Sequence, residues 1–186
     1  MRIEPLLLLA ACLVVGASPA AAQDARVRFA SFDVGVGGVA VRGLPPGLSY
    51  GVGADVANLP LAGFSGRFGF RFWSTSRPGE AVFVDVDDTV FELVLKKHLG
   101  AGSTRGYVGA GVGAHMVSAR LRFEPDVEDP RDGFRPGLQL LAGAETGLGD
   151  EFLAAFVEAV GSVMSDVRHV MLQAGVRVRF DRLSRR

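Results

Sequence analysis

From about residue 26 onward, polar and apolar residues alternate in eight successive segments. A period of two puts neighbouring side chains on opposite faces of an extended strand, whereas a helix turns every ~3.6 residues. The segments run over about 26–41, 49–58, 64–74, 89–98, 105–123, 135–147, 151–163 and 168–181. Clusters with turn chemistry separate them: Gly43-Leu44-Pro45-Pro46-Gly47, Leu59-Pro60-Leu61-Ala62-Gly63, Arg77-Pro78-Gly79, Gly100-Ala101-Gly102-Ser103, Asp129-Pro130-Arg131-Asp132-Gly133 and Gly147-Leu148-Gly149-Asp150. The seventh segment is ambiguous, because Phe152, Phe156, Val160 and Val163 also fit a helix face that Asp150 would cap. Its place among seven alternating neighbours favours a strand there.

The parity within each segment separates two kinds of face. In the third, Phe64, Phe68, Phe70 and Phe72 oppose Ser65, Arg67, Gly69 and Arg71. In the last, Val170, Leu172, Ala174, Val176, Val178 and Phe180 oppose Met171, Gln173, Gly175, Arg177 and Arg179. Across the segments, the polar faces collect the acids Asp33, Asp55, Glu92, Glu145 and Glu158 and the bases Arg67, Arg71, Lys96, Arg177 and Arg179. Five acids against five bases suit a narrow lumen filled by paired side chains. The same charges would be costly in a dry soluble core, where each unpaired one costs several kcal/mol. Glycine, with 25 residues, is concentrated on these polar faces, where it leaves room for long side chains. The third and fifth connections read as long and acidic (Asp85, Asp87 and Asp88, then Glu124, Asp126, Glu128, Asp129 and Asp132), and the second, fourth and sixth as short. Longer loops at one end and short turns at the other match a barrel in an outer membrane.

The N-terminus reads as an address. A positive start at Arg2, an apolar stretch from Leu6 to Ala17 and small residues at Ala20-Ala21-Ala22 form a secretory signal peptide over residues 1–22, leaving 23–186 as the barrel. The single cysteine, Cys12, lies in this leader. Leu9-Ala10-Ala11-Cys12 is similar to a lipoprotein cleavage box, but the apolar run continues past the cysteine. One cysteine excludes an intramolecular disulfide framework and a Cys-rich zinc site. Lys+Arg and Asp+Glu are both 20, so no cationic excess points to nucleic acid.

Taken together, the leader, the eight segments and the last strand resemble the small eight-stranded outer-membrane barrels of the OmpA/OmpX type. The last strand, Ala174-Gly175-Val176-Arg177-Val178-Arg179-Phe180, resembles the C-terminal assembly signal of that class, with Val176, Val178 and Phe180 as its outward residues. The resemblance implies an all-β, eight-stranded, antiparallel, up-and-down transmembrane β-barrel. It also implies outer-membrane lipid and the barrel-insertion machinery as partners, and brings no shared catalytic residues. Trp73, Tyr50 and Tyr107 would be the only Trp and Tyr available for interface girdles.

Most other motifs carry little chemistry. Gly109-Ala110-Gly111-Val112-Gly113-Ala114 fits G-x-G-x-x-A, but the pattern continues as a strand rather than opening a helix, so no dinucleotide is expected. His98, His115 and His169 have no metal-ligand spacing, and His115 reads as a lumen hydrogen-bonding residue. Asp85-Val86-Asp87-Asp88 lacks the glycine and distal Glu of a calcium loop. Ser162, Ser165, Asp166 and His169 supply the residue types of a nucleophilic site near the seventh connection, which keeps a lipid-modifying barrel enzyme as an alternative. A soluble exported barrel with an apolar ligand is another, and it requires the reverse parity. The reading adopted is a monomeric integral outer-membrane protein, structural or surface-interacting, without cofactor, metal or catalysis.

Overall fold

The computed structural model describes residues 27–61, 63–79, 82–123, 127–165 and 167–180. The leader at 1–22 and the tail after Phe180 lie outside the described residues. Eight strands follow one another: β1 (Arg28–Val41), β2 (Gly47–Ala57), β3 (Phe64–Arg77), β4 (Val82–Leu99), β5 (Thr104–Phe123), β6 (Val127–Leu148), β7 (Asp150–Val163) and β8 (Arg168–Arg179). Each pairs antiparallel with its neighbour in sequence, and β1 pairs with β8 to close an all-β barrel. The seventh segment is a strand. Its helical look has a physical origin: Phe156 and Val160 point into the barrel, so apolar residues stand on both faces.

The registers fix the size of the barrel. From Gly35 on β1, partners run through Gly51, Arg71, Val90 and His115 to Arg135 on β6. The other way round, they run through Gly175 and Phe156 to Glu145 on the same strand, ten residues further along. Eight strands with that stagger tilt by about 40° and enclose a bore that side chains can fill.

At the end holding Arg28 and Arg179 the connections are 58–63, 100–103 and Gly149. A single residue, Gly149, joins β6 to β7 with φ of 63°, a left-handed conformation that glycine adopts without steric cost. The opposite, distal end differs from the sequence expectation. The connections after β3 and β5 are not long acidic loops, because Asp85, Asp87 and Asp88 lie in β4 and Asp129-Pro130-Arg131-Asp132-Gly133 lies in β6. Residues 127–137 of β6 pair with β5, but β7 begins its pairing only at Leu138↔Val163. That leaves roughly 35 Å of strand, at about 3.4 Å per residue, with a neighbour on one side. Pro130 and Pro136 fall in this stretch. Proline lacks the N–H that a second neighbour would need, so turn-forming residues fit a free edge and protect it from pairing.

Inward glycines make space. A Cβ on Gly69 would collide with Glu92 Oε1 and lie 2.6 Å from its Cγ, whereas one on Gly161, on the outer face of β7, would meet nothing within 4 Å. Gly69→Val should therefore destabilise the barrel by about 1–3 kcal/mol through overpacking. Gly161→Val should be neutral or stabilising. Urea unfolding in detergent, followed by Trp73 fluorescence, measures both.

Candidate functional site

The lumen is the candidate site, and strand parity builds it. Inward positions of β1 to β4 supply Asp33, Asp55, Arg67, Arg71, Glu92 and Lys96, and those of β6 to β8 supply Glu145, Glu158, Arg177 and Arg179; all ten are buried. They form one continuous network. The Arg67 guanidinium donates to both oxygens of Asp33 at 2.7 and 2.8 Å, and its Nε donates to Glu92 at 3.2 Å. Arg71 takes the other side of Glu92, with bonds of 2.9 and 3.0 Å, and reaches across the bore to Glu158 and Gln173. Lys96 donates to Asp55, which also accepts from Ser31 Oγ at 3.0 Å. Arg177 joins Asp33, at 2.9 and 3.1 Å, to Glu145. Arg179, at 2.8 Å, and Arg105 complete the shell of Glu145.

Aromatic rings brace these cations. The Arg177 guanidinium lies 5.2 Å from the Tyr107 ring centre and 5.0 Å from that of Phe156, within cation–π range. Tyr107 packs across its partner Gly143, where a Cβ would stand 2.6 Å from the ring. Neither Trp73 nor Tyr107 forms a girdle, because both point into the lumen; Tyr50 alone of the three is exposed on the outer face.

Toward the distal end the lumen changes from charged to mostly neutral. Asp88 of β4 accepts at Oδ2 from Trp73 Nε1, at 3.1 Å, and pairs with His115 Nδ1 of β5 at 2.7 Å. The other ring nitrogen, His115 Nε2, lies 3.0 Å from Ser162 Oγ of β7. All three residues are buried. Beside them the Gln139 carboxamide is buried with no hydrogen-bond partner at either atom among the described residues. The sequence grouping of Ser162 with His169 is not what forms. His169 is the cross-strand partner of Ser162, but the Ser162 hydroxyl bonds His115, and His169 packs edge-on to His115 and against Trp73. Ser165 is exposed, and Asp166 lies outside the described residues.

Above this cluster the distal mouth holds a cavity of about 590 Å³. Leu44, Val86, Val117, Met164 and Val167 line its apolar part, and Arg42, Arg135 and Arg168 add cations. Parity puts Gln139 and Gln173 on the polar faces of their segments, and Ser162 holds the same inward position on β7. Asp88 was hidden because its acidic surroundings read as a loop.

The outer surface has the opposite character. Val36, Phe68, Leu93, Val112, Leu140 and Leu172 all point outward and are exposed, Leu140 at 68%. Of the C-terminal strand's outward residues, Val176 and Phe180 are exposed and Val178 is half-buried; Phe29 stacks on Phe180 at 5.4 Å across the closing seam.

No family model and no curated protein matches the chain. Several solved structures resemble it. Neisserial surface protein A superposes with a TM-score of 0.61 at 14% identity, over 82% of this chain and 96% of its own. Ail, the attachment invasion locus protein of Yersinia pestis, gives 0.59 at 12% identity, over 82% and 97%. A major outer membrane protein from Thermus thermophilus gives 0.56 at 14% identity, over 81% and 99%. The fold is that of the small outer-membrane barrels. At such identities the likeness lies in strand number and closure.

The network predicts the effect of breaking it. Arg71→Met leaves Glu92 and Glu158 short of a buried cation and should destabilise the barrel by about 3–5 kcal/mol. Replacing exposed Arg77, whose bond is a long one of 3.4 Å to the Gly43 carbonyl, should change stability by less than about 0.5 kcal/mol. Unfolding midpoints of the two variants in the same detergent test the contrast.

Proposed function

We propose that this protein is an integral protein of the bacterial outer membrane with a closed lumen, serving as a structural and surface-interacting element of the envelope. The observation that carries this reading is the inversion of the two faces. Arginines, a lysine and carboxylates are buried inside, while the Phe, Leu and Val side chains stand exposed outside. In water such an apolar exterior would drive aggregation, and in hydrocarbon it is the stable arrangement. A soluble barrel that carries an apolar ligand requires the reverse.

The charge network supports a structural role for the lower lumen. Its ion pairs cross the bore, from Arg71 on β3 to Glu158 on β7, which fits a plug better than a pore. Outer-membrane lipid then covers the belt, and the barrel-insertion machinery reads the strand that ends at Val176, Val178 and Phe180. A monomer is the expected state, because the barrel ladder closes on itself and the free stretch of β6 carries Pro130 and Pro136. The β3–β6 extension is the surface presented to the outside, with exposed Arg77, Arg120 and Asp132.

The protein should migrate as a compact band on an unheated detergent gel, shift on boiling, and float with liposomes. Leu140→Arg should destabilise the barrel in lipid by about 2–4 kcal/mol if this position lies near the midplane. In planar bilayers no discrete conductance steps are expected. A protein that stays soluble without detergent and shows no gel shift would sink the membrane reading.

A further inference from the structure

The distal lumen cluster has the connectivity of a hydrolytic triad, and its three members come from three different strands. Asp88 faces the Nδ1 edge of His115 at 2.7 Å, and Ser162 Oγ lies 3.0 Å from Nε2 of the same ring. An acid on Nδ1 holds the proton there, which leaves the Nε2 lone pair to accept from the serine hydroxyl. A hydroxyl, an imidazole and a carboxylate that merely filled space could meet in any order. Here the order is the one that activates an oxygen nucleophile.

Three further observations point toward a reacting group. First, the Gln139 amide is buried and unpartnered at both atoms among the described residues, and Gln139 is the cross-strand partner of Ser162. A buried amide donor left unpaired is costly unless something comes to use it. Second, Gly113 and Gly137, themselves partners on β5 and β6, clear the space beside the imidazole. A Cβ on Gly113 would stand 2.6 Å from Gln139 Nε2 and 2.9 Å from His115 Nε2, and one on Gly137 would stand 2.8 Å from His115 Nε2. Third, the mouth cavity lies directly beyond Met164. That side chain lines the cavity, and its Cγ would be 3.2 Å from the same Gly137 Cβ. An unbranched thioether is the side chain most easily moved aside.

We propose that Ser162, His115 and Asp88 form an acyl-transfer site. Its substrate class is an acyl ester of an anionic amphiphile, entering through the distal mouth. The apolar wall of Val86, Val117 and Val167 receives the acyl chain, and Arg42, Arg135 and Arg168 hold the anionic group. Met164 swings away as substrate enters. Ser162 Oγ attacks the acyl carbon, its proton passing to His115 Nε2, while Gln139 Nε2–H donates to the carbonyl oxygen as that oxygen gains charge. The ester C–O bond breaks, and the alcohol leaves with the proton from His115. Water then attacks the acyl-serine through the same base, releasing a carboxylic acid and restoring Ser162.

The test uses the full chain folded in detergent and an alkyl fluorophosphonate, which phosphonylates activated serines and releases fluoride. The expected result is an adduct located at Ser162 by mass spectrometry. Met164→Ala should speed it at least tenfold, and His115→Gln should slow it at least a hundredfold. Ser162→Ala should abolish it. Asp88→Asn should slow labelling and displace its pH profile, an effect that loss of packing alone would not produce. Each variant is first checked for the heat-dependent gel shift, so the barrel and the site are judged separately. If folded wild type and folded Met164→Ala both leave Ser162 unmodified while a serine esterase in the same tube reacts, the proposal is overturned. Equal labelling of Ser162→Ala would overturn it too.

Discussion

Closure of eight strands with a stagger of ten residues is the constraint on which the rest depends. It satisfies the ladder hydrogen bonds between neighbours, which is what lets β-structure persist where no water can serve the backbone. It also sets a bore so narrow that inward side chains must fill it. Glycine on a neighbouring strand makes room for long charged side chains, as at Gly53 on β2, where a Cβ would lie 2.6 Å from Arg67 Cζ on β3. The pairing of charges is thus a consequence of bore size as much as of electrostatics. Every cation in the lower lumen meets a carboxylate because there is no room for a hydration shell to replace one.

The lumen divides into two regimes along its axis. Near the end that holds Arg28 and Arg179, charge-assisted bonds dominate; Arg67–Asp33 and Arg71–Glu92 are bidentate, and Arg71 also reaches Glu158 across the bore. Toward the distal end, the side chains are neutral or nearly so: Trp73, His115, Gln139, Ser162 and His169 around the single carboxylate of Asp88. The first regime leaves single atoms of Asp55, Glu158 and Arg179 without hydrogen-bond partners among the described residues. The second leaves an amide and an imidazole without partners among the described residues, beneath an apolar cavity.

The distal end also shows how a sheet can outgrow its barrel. β4, β5 and β6 run to 18, 20 and 22 residues, while β7 and β8 stop at 14 and 12. The surplus becomes a paired extension in place of flexible loops. Its open edge on β6 carries Pro130 and Pro136, which limits further pairing there. Regular backbone pairing makes this extension more rigid than a loop of equal length, since residues 127–137 already have ladder partners on β5.

By itself the sequence determined the strand count, the two faces and the inward placement of ten charges, because each follows from a period of two that is local to its strand. It also held the helical ambiguity of 151–163, which arises from Phe156 and Val160 facing inward and disappears once β7 has neighbours on both sides. Composition misled at Asp85–Asp88 and at 129–133, where residues that favour turns sit in strands because their neighbours supply the pairing. Only the tertiary structure decided which acid meets which base. Register and closure are relations between distant segments, and a slip of two residues would keep every face while changing every partner. The same reason hid the meeting of Asp88, His115 and Ser162. Each has the inward parity of its own strand, but their convergence depends on the stagger of the whole barrel.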